Sequence, residues 1–168
     1  MIQPEDRGMK SGTENNGSTI DQEVFMRKVI IFASVHHGNT KKLVERIAAE
    51  WDADLIDAVQ VSKADLSGYD LIGFASGIYY SKYHKKILKF AEDNLPEGKK
   101  IFLICTYGGS ANYKSIEEIA ARKHASVIGK FGCKGYDTFG PFKLIGGVAK
   151  GHPDEQDLVN AMEFVKKL

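Results

Sequence analysis

A strand, a polar loop and a helix follow one another in residues 29–51, and this succession most constrains how the chain can fold. The apolar run Val29–Ala33 has the length of a buried strand, and the segment after Thr40 carries apolar residues at helical spacing. Between them, small and polar residues bring backbone N–H groups, hydroxyls and an amide to the helix start, where the helix dipole is positive. The loop is therefore suited to hold a phosphate, and the sequence predicts a phosphorylated ligand.

Apolar strands and one-sided helices alternate along the rest of the chain. We predict strands at Asp54–Ala58, Leu71–Ala75, Ile101–Cys105 and Phe131–Asp137, and helices at Lys85–Asn94, at Ser115–Ala125 and from Pro153 onward. Strands that are apolar throughout are typical of parallel sheets covered on both faces. The sequence therefore predicts an α/β fold, a doubly wound five-stranded parallel sheet with helices on both faces.

Charge and composition exclude several classes of protein. The chain has 23 Lys and Arg against 22 Asp and Glu, with no long block of one sign, so we expect no nucleic-acid partner and no polybasic membrane anchor. No apolar run approaches the roughly 18 residues that cross a bilayer, so we predict no membrane span. The two cysteines, Cys105 and Cys133, match neither a metal knuckle nor a CxxC motif. We interpret both as reduced core residues of a cytoplasmic protein without a metal site.

The first residues of the chain differ in composition from the rest. Residues 1–25 are rich in Gly, Ser, Asn, Asp and Glu, and they contain few apolar residues to bury. We predict a disordered leader here, with Met26 as a possible alternative start. The folded domain is then expected to span residues 26–168.

Three loops of the predicted sheet end at the same edge. In an open α/β sheet the ligand binds beyond the carboxyl ends of the strands, where the strand order reverses. The loops 34–40, 76–84 and 106–113 follow the first, third and fourth strands, and the last two contain several tyrosines. Gly-Asn-Thr alone could be only a helix cap, but the three loops together suggest a flat ring ligand with a phosphate tail.

These loops carry a family resemblance. His37–Thr40, Ser76–Tyr80 and Thr106–Gly109, each after a buried strand, resemble the corresponding loops of the flavodoxin family, and the similarity extends from Lys28 onward. The resemblance implies FMN as the cofactor. It implies a phosphate loop formed by Ser34, His36, His37, Gly38, Asn39 and Thr40. It also implies that Ser76, Gly77, Ile78, Tyr79, Tyr80, Thr106, Tyr107, Gly108 and Gly109 flank the isoalloxazine ring.

The chain departs from that family in two respects. Val35 and His37 stand where flavodoxins usually carry hydroxyl residues, and we expect Ser34 and the imidazoles to compensate. Flavodoxins are strongly acidic, whereas this chain has a net charge of +1, so long-range steering toward a basic partner is not expected. Gly77 could turn its peptide to positive φ at little cost. Tyr136 is interpreted as a packing residue.

Two functions of the same fold remain open. The first is an FMN protein that shuttles electrons between redox partner proteins, without a catalytic side chain. The second is an FMN-dependent oxidoreductase, because Gly77–Tyr80 followed by Tyr83 and His84 also resembles a loop of flavodoxin-like protoporphyrinogen oxidases. A quinone reductase, acting on a small quinone-like substrate, belongs to the same alternative.

Two surfaces have competing interpretations. The apolar residues of the Phe139–His152 loop could form a substrate lid or a homodimer contact, and a lid over the ring would favour the enzyme. Lys82, Lys85 and Lys86 are interpreted as a solvated face rather than a docking patch. A regulatory receiver domain is disfavoured, because the first strand ends in Ala33 and Ser34 instead of acidic residues.

Overall fold

A parallel sheet forms the centre of the molecule in the computed structural model, which describes residues 25–168. Its strands are β1 (Lys28–Ala33), β2 (Asp54–Asp57), β3 (Leu71–Tyr79), β5 (Lys100–Tyr107) and β6 (Ser126–Lys134), in the order β2-β1-β3-β5-β6. A two-residue strand, β4 (Lys82–Tyr83), pairs antiparallel with the end of β3. The order reverses between β1 and β3, so the predicted five-stranded doubly wound sheet is confirmed.

The helices cover both faces of this sheet. They are α1 (Asn39–Trp51), α2 (Lys85–Asn94), α3 (Lys114–Arg122) and α4 (Glu155–Val165). The core under α2 and α3 contains Ile87, Phe90 and Ile119, whereas α1 and α4 pack Leu43, Ile47 and Met162 onto the opposite face. Because β1 and β3 lie between the two layers, both have buried side chains on each face. Across residues 25–168, no helix combines the length and apolar character needed to cross a bilayer.

The predicted bounds of the last strand and of the helix before it are wrong. The last strand is Ser126–Lys134 rather than Phe131–Asp137, and α3 ends at Arg122 instead of Ala125. β6 lies at the edge of the sheet and its exposure alternates along the strand, so it lacks the continuous apolar run by which inner strands are recognised. The helix expected from Pro153 begins at Glu155, after an N-terminal capping box formed by Asp154 and Asp157.

Two short elements were not expected from the sequence. One is β4, and the other is a 3₁₀ helix at Gly140–Ile145 within the long loop after β6. That loop is fastened at its base, because Asp137 and Val148 exchange backbone hydrogen bonds of 3.1 and 2.8 Å. Residues 1–24 of the predicted leader lie outside the described part of the chain.

Candidate functional site

A cleft opens at the point where the strand order reverses, at the carboxyl ends of β1, β3 and β5. We call it the inner cleft, and its empty volume is about 310 Å³. Nine residues predicted from the sequence line it: His36, Asn39, Thr40, Gly77, Ile78, Tyr79, Thr106, Tyr107 and Gly108. Gly135, Tyr136 and Asp137, which follow β6, complete the wall. The three loops therefore meet at one place, as the position of the strand ends requires.

The amino end of α1 gives the inner cleft an electropositive end. Gly38 caps the helix with φ of 68°, a left-handed conformation that glycine adopts without steric cost. The first turn contains no acidic residue, and the first N–H groups of any helix have no partner within it. These donors and the helix dipole favour an anion at this end.

Side chains of the predicted phosphate loop fasten it to the segment after β6. Asn39 Nδ2 donates to the carbonyl oxygen of Tyr136 at 2.7 Å, and His37 Nε2 is hydrogen-bonded to Thr138 Oγ1 at 2.8 Å. The His37 and Tyr136 rings lie 4.4 Å apart between their centres. His37 and Gly38 face a separate cleft beside Lys42 and His152. Tyr136, interpreted from the sequence as a packing residue, packs on His37 and also borders the inner cleft.

The hydroxyl groups below the loop have different roles. Thr40 and Thr106 are buried and hydrogen-bonded to each other at 2.9 Å. Ser76 donates to the Gly77 carbonyl and accepts from the His84 N–H, so it positions the β3 end instead of lining the cleft. Ser34 Oγ is buried and has no hydrogen-bond partner within residues 25–168. An unpartnered buried hydroxyl is uncommon and indicates an absent partner or a functional role.

Tyr79 lies between the β3 end and the phosphate loop. Its ring covers Gly77, where an added Cβ would stand 2.8 Å from the Tyr79 hydroxyl oxygen, and it contacts His36 at 5.6 Å between ring centres. Burial raises the pKa of Tyr79, while the backbone N–H groups of Val35 and His36 act in the opposite direction. Gly77 does not have positive φ, because it remains within β3 and pairs with Thr106. The positive-φ turn lies three residues later, at Tyr80 and Ser81.

A second cleft, the outer cleft, adjoins the first and has an empty volume of about 620 Å³. Tyr80 and Gly109 line it, and they share it with residues of the long loop: Phe139, Gly140, Pro141 and Phe142. Gly108 lies on the border of the two clefts, where an added Cβ would stand 2.5 Å from Asp137 Cβ. Asp137 was not expected at the clefts, because the end of the last strand was predicted three residues too late. The Phe139–Phe142 wall belongs to the long loop for which a substrate lid or a homodimer contact was predicted.

Burial shifts the pKa of three further side chains near the clefts, those of Tyr107, Tyr113 and His84. It raises the pKa of Tyr107, with smaller contributions from the nearby cysteines, and it raises the pKa of Tyr113. Burial also lowers the pKa of His84, and the neighbouring Lys85 and His36 act in the same direction. Cys105 and Cys133 are free and buried, and they belong to the core layers on opposite faces of the sheet. Neither thiol is therefore positioned for redox chemistry with the other.

Solved structures with the same fold include flavodoxins. One is a flavodoxin from the domain Archaea, 20% identical, covering 83% of this chain and 97% of that chain with a TM-score of 0.59. A second is the flavodoxin of Streptococcus pneumoniae TIGR4, 16% identical, covering 84% and 96% of the two chains with a TM-score of 0.60. A third is the Trp repressor binding protein of Bacillus subtilis, 18% identical, covering 84% and 99% with a TM-score of 0.59. These similarities confirm the fold.

The sequence comparisons add a nearer relative and a family. An uncharacterized protein of Methanocaldococcus jannaschii is 42% identical over 147 residues, which are 85% of this chain and 98% of that protein. The model of a flavodoxin domain matches residues 29–134, from β1 to the end of β6. The resemblance seen in the loop motifs is thereby confirmed, and the chain belongs to the flavodoxin domain family.

Proposed function

We propose that this protein binds FMN at the inner and outer clefts and transfers electrons between redox partners. One observation carries the proposal: three strand-end loops meet at the amino end of α1. Ser34, in the first of these loops, has a buried hydroxyl with no hydrogen-bond partner within the described chain. A helix amino end with a spare hydroxyl is suited to a phosphate. The adjoining, glycine-bordered outer cleft is suited to a flat ring.

The residues present fit FMN. The backbone N–H groups at the start of α1, together with Ser34 and His36, would hold the phosphate. Tyr107, Gly108 and the Phe139–Phe142 wall, which line the outer cleft, would enclose the ring. Bound flavin supplies the reversible uptake of one or two electrons, and the protein supplies binding, orientation and electrostatics. This role requires no catalytic side chain, and the two free cysteines fit a cytoplasmic location.

The experiment compares the affinity of the protein for FMN with its affinity for riboflavin, which lacks the phosphate. Ser34→Ala removes a hydroxyl with no partner in the described chain, so the unliganded protein should keep or gain stability. If Ser34 donates to the phosphate, the variant should lose about 1.5–3 kcal/mol of FMN affinity, roughly tenfold or more. Its affinity for riboflavin should not change, and Ser62→Ala, at an exposed serine, is the matched control.

The result has clear alternatives. Equal affinities for FMN and riboflavin in the wild-type protein would refute the phosphate site. If Ser34→Ala lowers the affinity for FMN and for riboflavin equally, Ser34 acts on the shape of the loop and not on the phosphate. Absence of flavin binding in the wild-type protein would refute the proposed function itself.

A second candidate function, an FMN-dependent oxidoreductase, is favoured by one observation. Phe139–Phe142 borders the outer cleft, and Phe139 contacts Tyr79 and Tyr80 at 6.0 and 4.9 Å between ring centres. The long loop is thus placed where a lid over a small substrate would lie. Anaerobic titration with dithionite separates the two functions: accumulation of a one-electron-reduced form supports the carrier. Direct two-electron reduction, with turnover of a quinone by reduced nicotinamide, supports the enzyme.

A further inference from the structure

The turn between β3 and β4 has an unusual composition for its geometry. Ile78 pairs with Tyr83 and Tyr79 with Lys82, so only Tyr80 and Ser81 connect the two strands. Their φ angles are 48° and 60°, and two-residue hairpin turns with positive φ at both positions are usually formed by Asn-Gly or Asp-Gly. Neither Tyr nor Ser adopts this conformation without strain. Strain of this kind is often found where a backbone holds a functional side chain.

The strained turn holds an aromatic side chain out of the surface. Tyr80 is 83% exposed, and its ring packs only edge-on against Phe139 among the described aromatic residues. It stands between the outer cleft and a wider depression of about 940 Å³, which we call the hairpin groove. The groove is mainly apolar, and its lining includes Tyr79, Tyr80, Lys82, Lys85 and Phe139. Its lining contains no acidic residue.

The charges around the groove are positive and uncompensated. Lys82, Lys85 and Lys86 are exposed, and none of them forms an ion pair within residues 25–168. The acidic residues farther along α2 are engaged elsewhere, Glu92 with Arg122 and Asp93 with Lys89. Asp137 faces the inner and outer clefts, and it accepts a hydrogen bond from the Phe139 N–H. The hairpin groove therefore presents an apolar centre with a basic rim.

We propose that the hairpin groove, with Tyr80 as its anchor, is the docking surface for an acidic redox protein. Charge complementarity is one reason, since a partner rich in carboxylates would pair with the three lysines. The second reason is shape: Tyr80 protrudes, and protruding tyrosines are common anchors of protein interfaces. The lysines lie on both β4 and α2, which suits an extended surface better than a small molecule. The interpretation of these lysines as a merely solvated face is replaced by this proposal.

This inference rests on the proposed function, because the partner would exchange one electron with bound flavin. The partner's oxidised centre accepts that electron, so the step needs no further oxidant. Docking at the groove would place the partner against Tyr79, Tyr80 and Phe139, which border both the groove and the flavin clefts. Binding itself can be measured without turnover.

The test uses FMN-treated protein and two probe proteins, an acidic [2Fe–2S] ferredoxin and a basic cytochrome c. We expect binding to the ferredoxin at 20 mM NaCl that weakens about tenfold at 200 mM, and no comparable binding to cytochrome c. Reversal of the rim charges in Lys82→Glu/Lys85→Glu/Lys86→Glu should abolish ferredoxin binding and create cytochrome c binding. The control Lys100→Glu/Lys166→Glu/Lys167→Glu makes the same change at the amino edge of the sheet and should bind as wild type.

A second variant separates docking from folding. Tyr80→Asn places a favoured residue in the turn and removes the anchor, so ferredoxin binding should fall while stability is kept or raised. A purely structural Tyr80 would give the opposite pattern, lower stability with unchanged binding. Salt-independent binding, equal effects of the two triple variants, or self-association through the groove would each overturn the proposal. The flavin content of the protein, measured by absorbance, separates the two proposals. If flavin is bound but the ferredoxin is not, only the docking proposal fails, whereas absence of bound flavin refutes the proposed function.

Discussion

Replacing Ser81 with glycine should stabilise this protein, although the substitution adds no contact. Ser81 has φ of 60° in the turn between β3 and β4, and its side chain is exposed. The left-handed conformation brings Cβ close to the following carbonyl oxygen, which costs roughly 1–2 kcal/mol for an ordinary residue and nothing for glycine. The described side-chain hydrogen bonds do not include Ser81, so little is lost on its removal.

The expected size follows from two opposing effects. Relief of the strain contributes roughly 1–2 kcal/mol, and the extra backbone freedom of glycine in the unfolded chain removes about 0.5–1 kcal/mol. The net gain in the free energy of unfolding is therefore about 0.5–1 kcal/mol. For a chain of this length, that is a rise in Tm of about 1–4 °C.

Urea unfolding of the flavin-free protein measures the effect. The control is Ser62→Gly at an exposed loop serine whose φ is not positive, where only the loss from backbone freedom should act. Ser81→Gly should therefore be more stable than wild type, and Ser62→Gly should be slightly less stable. If both variants lose the same stability, the turn is not strained, and the inference that strain holds Tyr80 outward fails with it.

Three further predictions concern the core and the site. Gly73→Ala should cost about 1–3 kcal/mol of stability in urea unfolding, because the alanine Cβ would stand 2.3 Å from the Phe102 ring. Adding Phe102→Leu to the same chain should recover part of that loss. Thr106→Val should lower the free energy of unfolding by about 1–3 kcal/mol, because it leaves the buried Thr40 hydroxyl unpaired. The double variant Thr40→Val/Thr106→Val should lose less stability than Thr106→Val, and equal losses would contradict the pairing. Burial raises the pKa of Cys105 from 9.0 to about 11, so the unfolded thiol ionises first and the free energy of unfolding should fall as pH rises from 9 to 11. Cys105→Ala should show a shallower decline over that range, and an unchanged slope would refute the buried, protonated thiol.

The inner part of the fold could be predicted from the sequence because its residues face apolar surroundings on every side. β1, β3 and β5 have continuous apolar runs, and α1 and α2 carry apolar residues on one face only. β6 could not be placed correctly by this reasoning, because an edge strand with alternating exposure resembles a loop in composition. The turn at Tyr80 and Ser81 was equally hidden, since neither residue has the local preference that indicates such a turn.

The candidate site was predictable only as far as the strands that carry it. The loops after β1, β3 and β5 follow long apolar runs, so their residues were found and the structure brings most of them together. Asp137 follows the poorly predicted β6 and was missed as a neighbour of the clefts, whereas Phe139 was expected only within a loop that could cover a ligand. The two serines differ for another reason. The Ser76 hydroxyl forms hydrogen bonds with two backbone groups, whereas the Ser34 hydroxyl has no hydrogen-bond partner within the described residues. Hydrogen bonding of this kind depends on tertiary neighbours, which a sequence pattern does not specify.

The proposed docking surface has a local charge that the net charge of the protein does not predict. A net charge of +1 suggests weak steering, but the field at a surface depends on the charges within about 8–10 Å, the Debye length at physiological salt. Ion pairs on α1, α2 and α3 neutralise several basic residues, and Lys82, Lys85 and Lys86 have no such pair within the described residues. Other lysines are also unpaired, so what distinguishes these three is their place beside a groove whose lining contains no acidic residue. Near neutrality overall also means that an acidic partner meets no long-range repulsion from the remainder of the molecule. Under the proposed docking, three exposed lysines beside an apolar groove without acidic lining, rather than the total charge of +1, would select an acidic partner.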